Sequence, residues 1–155
     1  MEQYKIAFIA SSGGHLEQLT MLKPLMERYD SFVITEITPY QSACPCKRRY
    51  SIRQVNRHEP LFILKLIVNG FSSLRIFLKE RPDMVISTGA LAVIPFCLIS
   101  KILFRRKLIF IESFAKVTSP TLTGKLLYRF ADRFYVQWET MLDVYPDAIY
   151  LGGIY

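Results

Sequence analysis

The residues best suited to chemistry open the chain's first polar break, Ser11-Ser12-Gly13-Gly14-His15, which separates two apolar stretches. Glycines at such a break let the backbone come close to a ligand, and amide groups at the start of a helix, aided by its dipole, suit a phosphate. His15 adds an imidazole, a group that can take or give a proton. The segment is neither the Gly-x-Gly-x-x-Gly dinucleotide fingerprint nor a P-loop ending in Gly-Lys-Ser/Thr, which disfavours nicotinamide enzymes and nucleoside triphosphatases. A plain strand-to-helix turn would also use two glycines. A second turn of this kind is Ser87-Thr88-Gly89-Ala90, and a third polar break is Glu112-Ser113-Phe114-Ala115-Lys116. Glu112 suits either a general base or a buried structural carboxylate.

These breaks gain meaning from the elements before them. Lys5–Ala10 is a short apolar run, and after it Leu16, Leu19, Leu22 and Leu25 or Met26 recur at helical spacing. Strand-like runs recur at 32–34, 84–86, 108–111, 134–136 and near 149–151, and helix-like stretches at 61–80, 91–104 and 121–131. Short strands apolar on both faces and alternating with helices predict an α/β, Rossmann-like doubly wound parallel sheet. In such a sheet ligands bind outside the carboxyl ends of the strands, where His15, Gly89 and Glu112 all fall. The stretch from Tyr40 to Pro60 reads as irregular. Its Lys47, Arg48, Arg49, Arg53 and Arg57 have no acidic residue among them, the pattern of a solvated loop.

At 155 residues the chain predicts a single domain, 1–155, and its 51% hydrophobic content excludes disorder. A net charge of +7 points to an anionic partner, with no recognition-helix, RNP or zinc pattern to make that partner a nucleic acid. Cys44 and Cys46 flank Pro45 without a second ligand pair, so the expected metal content is none and both read as loop thiols, while Cys97 reads as a small buried hydrophobe. The first strand begins by about Lys5, so no targeting peptide is expected. Leu91–Phe104 is too short to cross a bilayer, which takes roughly 20 residues. Leu61–Leu78 is interrupted by Lys65, Asn69, Gly70, Ser72, Ser73 and Arg75 and fits an amphipathic helix lying in an interface. Lys65, Arg75, the Arg-rich loop and Arg105-Arg106-Lys107 are expected to face acidic headgroups together.

Several of these segments resemble a known family: Ser-Ser-Gly-Gly-His-Leu (11–16), Ser-Thr-Gly-Ala with Pro95, Ile-Glu-Ser-Phe-Ala-Lys-Val (111–117), Leu-Thr-Gly-Lys-Leu-Leu-Tyr (122–128), Ala-Asp-Arg-Phe-Tyr-Val-Gln-Trp-Glu (131–139) and Leu-Gly-Gly-Ile-Tyr (151–155). They are similar to the acceptor-binding subunit of two-component GT-B glycosyltransferases. That family spans bacterial capsule and exopolysaccharide subunits and the eukaryotic anchoring subunit of the dolichol-linked N-acetylglucosaminyltransferase. The resemblance implies the N-terminal half of a GT-B enzyme, inactive or weakly active until a separate donor-binding subunit supplies the other half and most contacts to the UDP-sugar. No cofactor or metal is expected in this chain. It implies a polyprenyl-diphosphate-linked sugar as acceptor and a cytoplasmic, peripheral position on the inner face of the plasma membrane. The eukaryotic members carry a transmembrane anchor at the N-terminus. Here an apolar and basic surface is expected to serve instead, as in the related peptidoglycan lipid-intermediate transferase. For inverting transfer, His15 is the expected base or acceptor-orienting group and Glu112 the alternative base. Ser11, Ser12, Gly13, Gly14, Ser87, Thr88 and Gly89 are expected to hold the acceptor's diphosphate. The rival reading is a non-catalytic membrane adaptor that stabilises and localises the partner.

Overall fold

The computed structural model describes residues 4–38 and 45–155. Among these, seven parallel strands form one sheet in the order β3-β2-β1-β4-β5-β6-β7. The strands are β1 (Lys5–Ala10), β2 (Asp30–Glu36), β3 (Arg48–Ile52), β4 (Met84–Gly89), β5 (Lys107–Ile111), β6 (Arg133–Val136) and β7 (Ile149–Tyr150). The order reverses between β1 and β4, so this is the doubly wound topology, and the switch point lies where the two glycine turns emerge.

Burial on both faces follows from the short apolar strands. On one face α1 (Gly14–Thr20) and α2 (Lys23–Arg28) bring Leu16, Leu19 and Met26 onto Ile6, Phe8, Val33 and Ile86. On the other, α3 (Phe62–Glu80), α4 (Ile94–Leu98) and α5 (Leu122–Leu127) bring Phe77, Phe96 and Leu127 onto Ile9, Phe32, Val85 and Phe110. Alternate residues of a strand serve opposite layers, as in β5, where Leu108 and Phe110 join the second core and Ile109 and Ile111 the first. Cys97 is buried as expected, and that burial pushes its thiol up to about 12.

The structure departs from the sequence reading in four places. The stretch read as irregular contains β3, which pairs with β2 from Phe32↔Arg48 to Glu36↔Ile52. Its arginine is structural: Arg48 bonds Asp30 and, at 2.6 Å, Glu80, which is only 4% exposed and also takes Lys5 and the Tyr50 hydroxyl. The first helix is two, with Pro24 in the opening turn of α2. The third helical stretch is a 3-10 turn (Leu91–Val93), then α4, then one wide π turn (Ile99–Leu103), and Pro95 sits at the start of α4. The helix expected over 121–131 ends at Leu127, and Asp132 there caps the start of β5 by accepting from the Leu108 amide at 2.7 Å. Cys44 lies outside the described residues. The Cys46 sulfur lies 3.5 Å from the Ser31 hydroxyl, and no group of three metal-ligating side chains occurs among the described residues.

Candidate functional site

The two glycine turns meet at the switch point. Ala10 stands opposite Gly89 in the sheet, and the Ser11 amide donates to the Gly89 carbonyl at 3.4 Å. Gly13 and Gly89 take φ values of +75° and +112°, which side chains with a Cβ adopt only under strain. A Cβ on Gly89 would meet the His15 ring and Phe110 at an ordinary contact distance of 3.5 Å, so it is the backbone angle and not space that calls for glycine there. Around these turns the amides of Gly14 and His15 take no acceptor among the described residues, as the exposed opening of α1 requires.

His15 is locked to the end of β4 by two bonds. Its Nδ1 lies 2.8 Å from the Thr88 carbonyl, and the Thr88 hydroxyl donates to the His15 carbonyl at 2.6 Å. A carbonyl oxygen only accepts, so Nδ1 carries the hydrogen in the neutral ring and Nε2 keeps its lone pair. Nε2 makes no hydrogen bond among the described residues, and the ring is half-buried. Other expected diphosphate ligands are committed to architecture. Ser87 and Thr88 are fully buried, with the Ser87 hydroxyl accepting from the Gly89 amide at 3.2 Å. Ser11 is buried too, and the Ser12 hydroxyl donates to Glu36 at 3.3 Å. Gly13 and Gly14 are exposed and the His15 imidazole is half-buried beside them, with the Gly13 carbonyl already taking the Leu16 and Glu17 amides.

Glu112 departs from the expectation of an alternative base. It is 1% exposed, and its carboxylate accepts from the Ser113 amide (2.9 Å), the Thr121 amide (3.2 Å), the Thr121 hydroxyl (2.9 Å) and the Tyr145 hydroxyl (2.9 Å). A carboxylate saturated by four internal donors holds the loop after β5 and the start of α5, and is closed to an incoming hydroxyl. Burial, then the neighbouring Glu112 charge, pushes the Tyr145 hydroxyl above its ordinary range, which keeps it a donor. Sequence reasoning missed Tyr145, 33 residues away, and also Gln18 and Gln137. Gln137 donates to the Glu112 carbonyl at 2.8 Å and to Gln18 at 3.3 Å, while its own carbonyl takes the Ile154 amide at 3.1 Å. No motif marks residues whose role is to join loops distant in sequence.

Helix α3 buries Ile76 and Phe77 in the core but also sends polar residues inward and apolar ones outward. Asn69 and Ser73 are fully buried, while Ile63, Leu64, Ile67, Leu78 and Phe71, the last 72% exposed, face solvent. Asn69 is satisfied inside by both backbone groups of Arg53, accepting at 2.9 Å and donating at 2.8 Å. Leu64, Ile67, Phe71 and Leu78 follow the three-and-four spacing of one helical stripe, and Ile102 and Leu103, also exposed, lie on the π turn that packs against α3. The basic residues expected to gather here are divided instead. Arg48 pairs with Asp30 and Glu80, Lys65 with Glu59, and Arg106 with Asp83 at 3.7 Å. Arg105-Arg106-Lys107 opens β5 at the amino edge of the sheet, opposite the edge from which the loop after β3 leaves. No helix among the described residues is long and apolar enough to cross a membrane.

On the opposite face an apolar cavity of about 280 Å³ lies between Leu22, Leu25, Ile109, Ile111, Tyr135 and the terminal segment near Ile154.

A family profile described as "Oligosaccharide biosynthesis protein Alg14 like" matches residues 35–154. The UDP-N-acetylglucosamine transferase subunit ALG14 of Mus musculus is 27% identical over 186 residues, spanning 99% of this chain and 84% of that protein. The Homo sapiens subunit of the same name is 26% identical over 181 residues with the same coverage. Among solved structures, MurG of Acinetobacter baumannii superposes with a TM-score of 0.71 at 17% identity, over 88% of this chain and 42% of that one. The S. aureus MnaA–UDP structure gives 0.72 at 12% identity, over 97% and 45%. The chain thus spans less than half the length of these solved proteins, and the likeness to them is one of fold. With its sheet order, its joined glycine turns and a profile match over most of its length, this chain belongs to the Alg14 family.

Proposed function

We propose that this chain is the acceptor-side half of a two-chain glycosyltransferase that uses UDP-N-acetylglucosamine, and that it brings its donor-binding partner to the membrane. The observation that carries the reading is one of coverage. The chain aligns with 84% of proteins named as transferase subunits but with only 42% of MurG, as half of a divided enzyme would. The apolar cavity near Ile154 offers a face for the partner, and the outward stripe of α3 offers one for a bilayer. The acceptor is a sugar on a polyprenyl diphosphate. Its diphosphate meets the main chain of Gly13 and Gly14, and its hydroxyl gives a proton to His15 Nε2 as the donor's anomeric carbon is attacked and UDP leaves. The site lies on the cytoplasmic side, on the inner face of the plasma membrane. The matched relatives direct the reading toward lipid-linked oligosaccharide synthesis, and a capsule or exopolysaccharide product draws no support from them.

A non-catalytic adaptor is the second reading. The internal commitment of Glu112 favours it, since that carboxylate is not offered to an acceptor hydroxyl. Both readings require recruitment, which co-flotation measures. The purified donor-binding chain is expected to float with liposomes only when this chain is present. A partner that floats alone, or a pair that stays in the soluble fraction, contradicts the proposal.

A further inference from the structure

A cavity of about 340 Å³ opens between β3 and the flank of α3, lined by Tyr50, Ser51, Ser72, Arg75, Ile76 and Lys79. Arg75 and Lys79 are one helical turn apart, so their side chains are neighbours, and two like charges so placed repel unless an anion lies between them. Neither has an ion-pair partner among the described residues; Lys79 sits over the Tyr50 ring with Nζ 5.2 Å from its centroid. The Tyr50 hydroxyl is turned away to Glu80, whose charge Lys5 and Arg48 already offset. That leaves two cations and the hydroxyls of Ser51 and Ser72 at the rim of an opening otherwise lined by Ile76 and the Tyr50 ring, a donor set without an acceptor among the described residues. Arg75 lies one turn from both Phe71 and Leu78 of the outward stripe. When those side chains enter the acyl boundary of a bilayer, Arg75 and Lys79 lie at the depth of the lipid phosphates.

We propose that this cavity is a headgroup site for a phosphate-bearing acidic lipid, with the phosphate held between Arg75 and Lys79. The inference rests on the membrane reading of α3. It adds a particular site to what would otherwise be diffuse attraction between a +7 chain and a negative surface.

The test is flotation of the full chain with vesicles of phosphatidylcholine alone or mixed with phosphatidylglycerol. Each cation near an acidic surface is worth about fivefold in binding, so Arg75→Gln/Lys79→Gln is expected to lose about 30-fold on the acidic vesicles. The charge-matched Lys125→Gln/Arg129→Gln, exposed on and after α5, is expected to bind as the unaltered chain does. Equal loss in both double variants overturns the site and leaves the membrane reading intact. If the unaltered chain floats with neither vesicle, and Phe71→Ser changes nothing, the membrane reading itself fails. Inorganic phosphate separates the lipid from a soluble ligand. It is expected to release no more protein than chloride of equal ionic strength, and greater release overturns the assignment to lipid.

Discussion

His15→Ala is expected to lower kcat of the reconstituted two-chain enzyme by about 10²–10⁴-fold, the range for loss of a positioned general base. The bond between Nδ1 and the Thr88 carbonyl fixes the tautomer and leaves the Nε2 lone pair open. The Thr88 hydroxyl on the His15 carbonyl ties the first turn of α1 to β4 and sets the ring at the edge where the two glycine turns meet. Alanine removes the base and keeps this backbone tie, so the apparent affinity for the lipid acceptor should change far less than turnover. His15→Gln sharpens the result, because its amide can still donate to the Thr88 carbonyl but has no basic nitrogen. It should be as slow as alanine if His15 acts by accepting a proton, and close to normal if it acts only by holding the turn. Turnover within about twofold of normal for His15→Ala would instead make this chain an adaptor, since a lost base costs far more.

The largest effect on stability is expected at a residue with no chemistry. A Cβ on Gly124 would lie 2.0 Å from a Glu112 carboxylate oxygen and 2.7 Å from the Tyr145 hydroxyl, both buried and both engaged. Gly124→Ala must therefore displace a carboxylate that holds four donors, and the expected cost is about 3 kcal/mol, the upper part of the range for overpacking a filled interior. Urea denaturation of the isolated chain measures it as a lowered midpoint. Tyr145→Phe alone removes one hydrogen bond and should cost about 1 kcal/mol. Because the two residues press on the same carboxylate, the double variant should cost less than the sum. A fully additive pair, or a neutral Gly124→Ala, would show that Glu112 is not the fixed point of this loop.

Much of the architecture was legible because it is written in local pattern. Apolar runs such as Lys5–Ala10 and Lys107–Ile111 are short and bounded by polar breaks, which marks them as strands buried on both faces. β3 was not legible. Arg48-Arg49-Tyr50-Ser51-Ile52 carries charge that reads as solvated, and only the distant Glu80 and Asp30 give its first arginine the partners that hold it along the sheet. At the site, the glycines and His15 could be found from their position after β1. Whether Glu112 is a base or a buttress depended on Thr121 and Tyr145, contacts that no spacing announces. Helix α3 lies between these cases. Its polar interruptions showed an amphipathic helix, but which face is inward is decided by Asn69 bonding the Arg53 backbone, a choice made by the tertiary fold.

The most direct test of the central claim, that this chain is half of an enzyme, is the rate of sugar transfer from UDP-N-acetylglucosamine to a polyprenyl-diphosphate-linked acceptor on liposomes, followed as this chain and its donor-binding partner are mixed in varying proportion at constant total concentration. The account predicts negligible transfer by either chain alone and a maximum at equimolar mixing. Transfer by this chain alone, or a rate that follows the partner's concentration regardless of this chain, would contradict it.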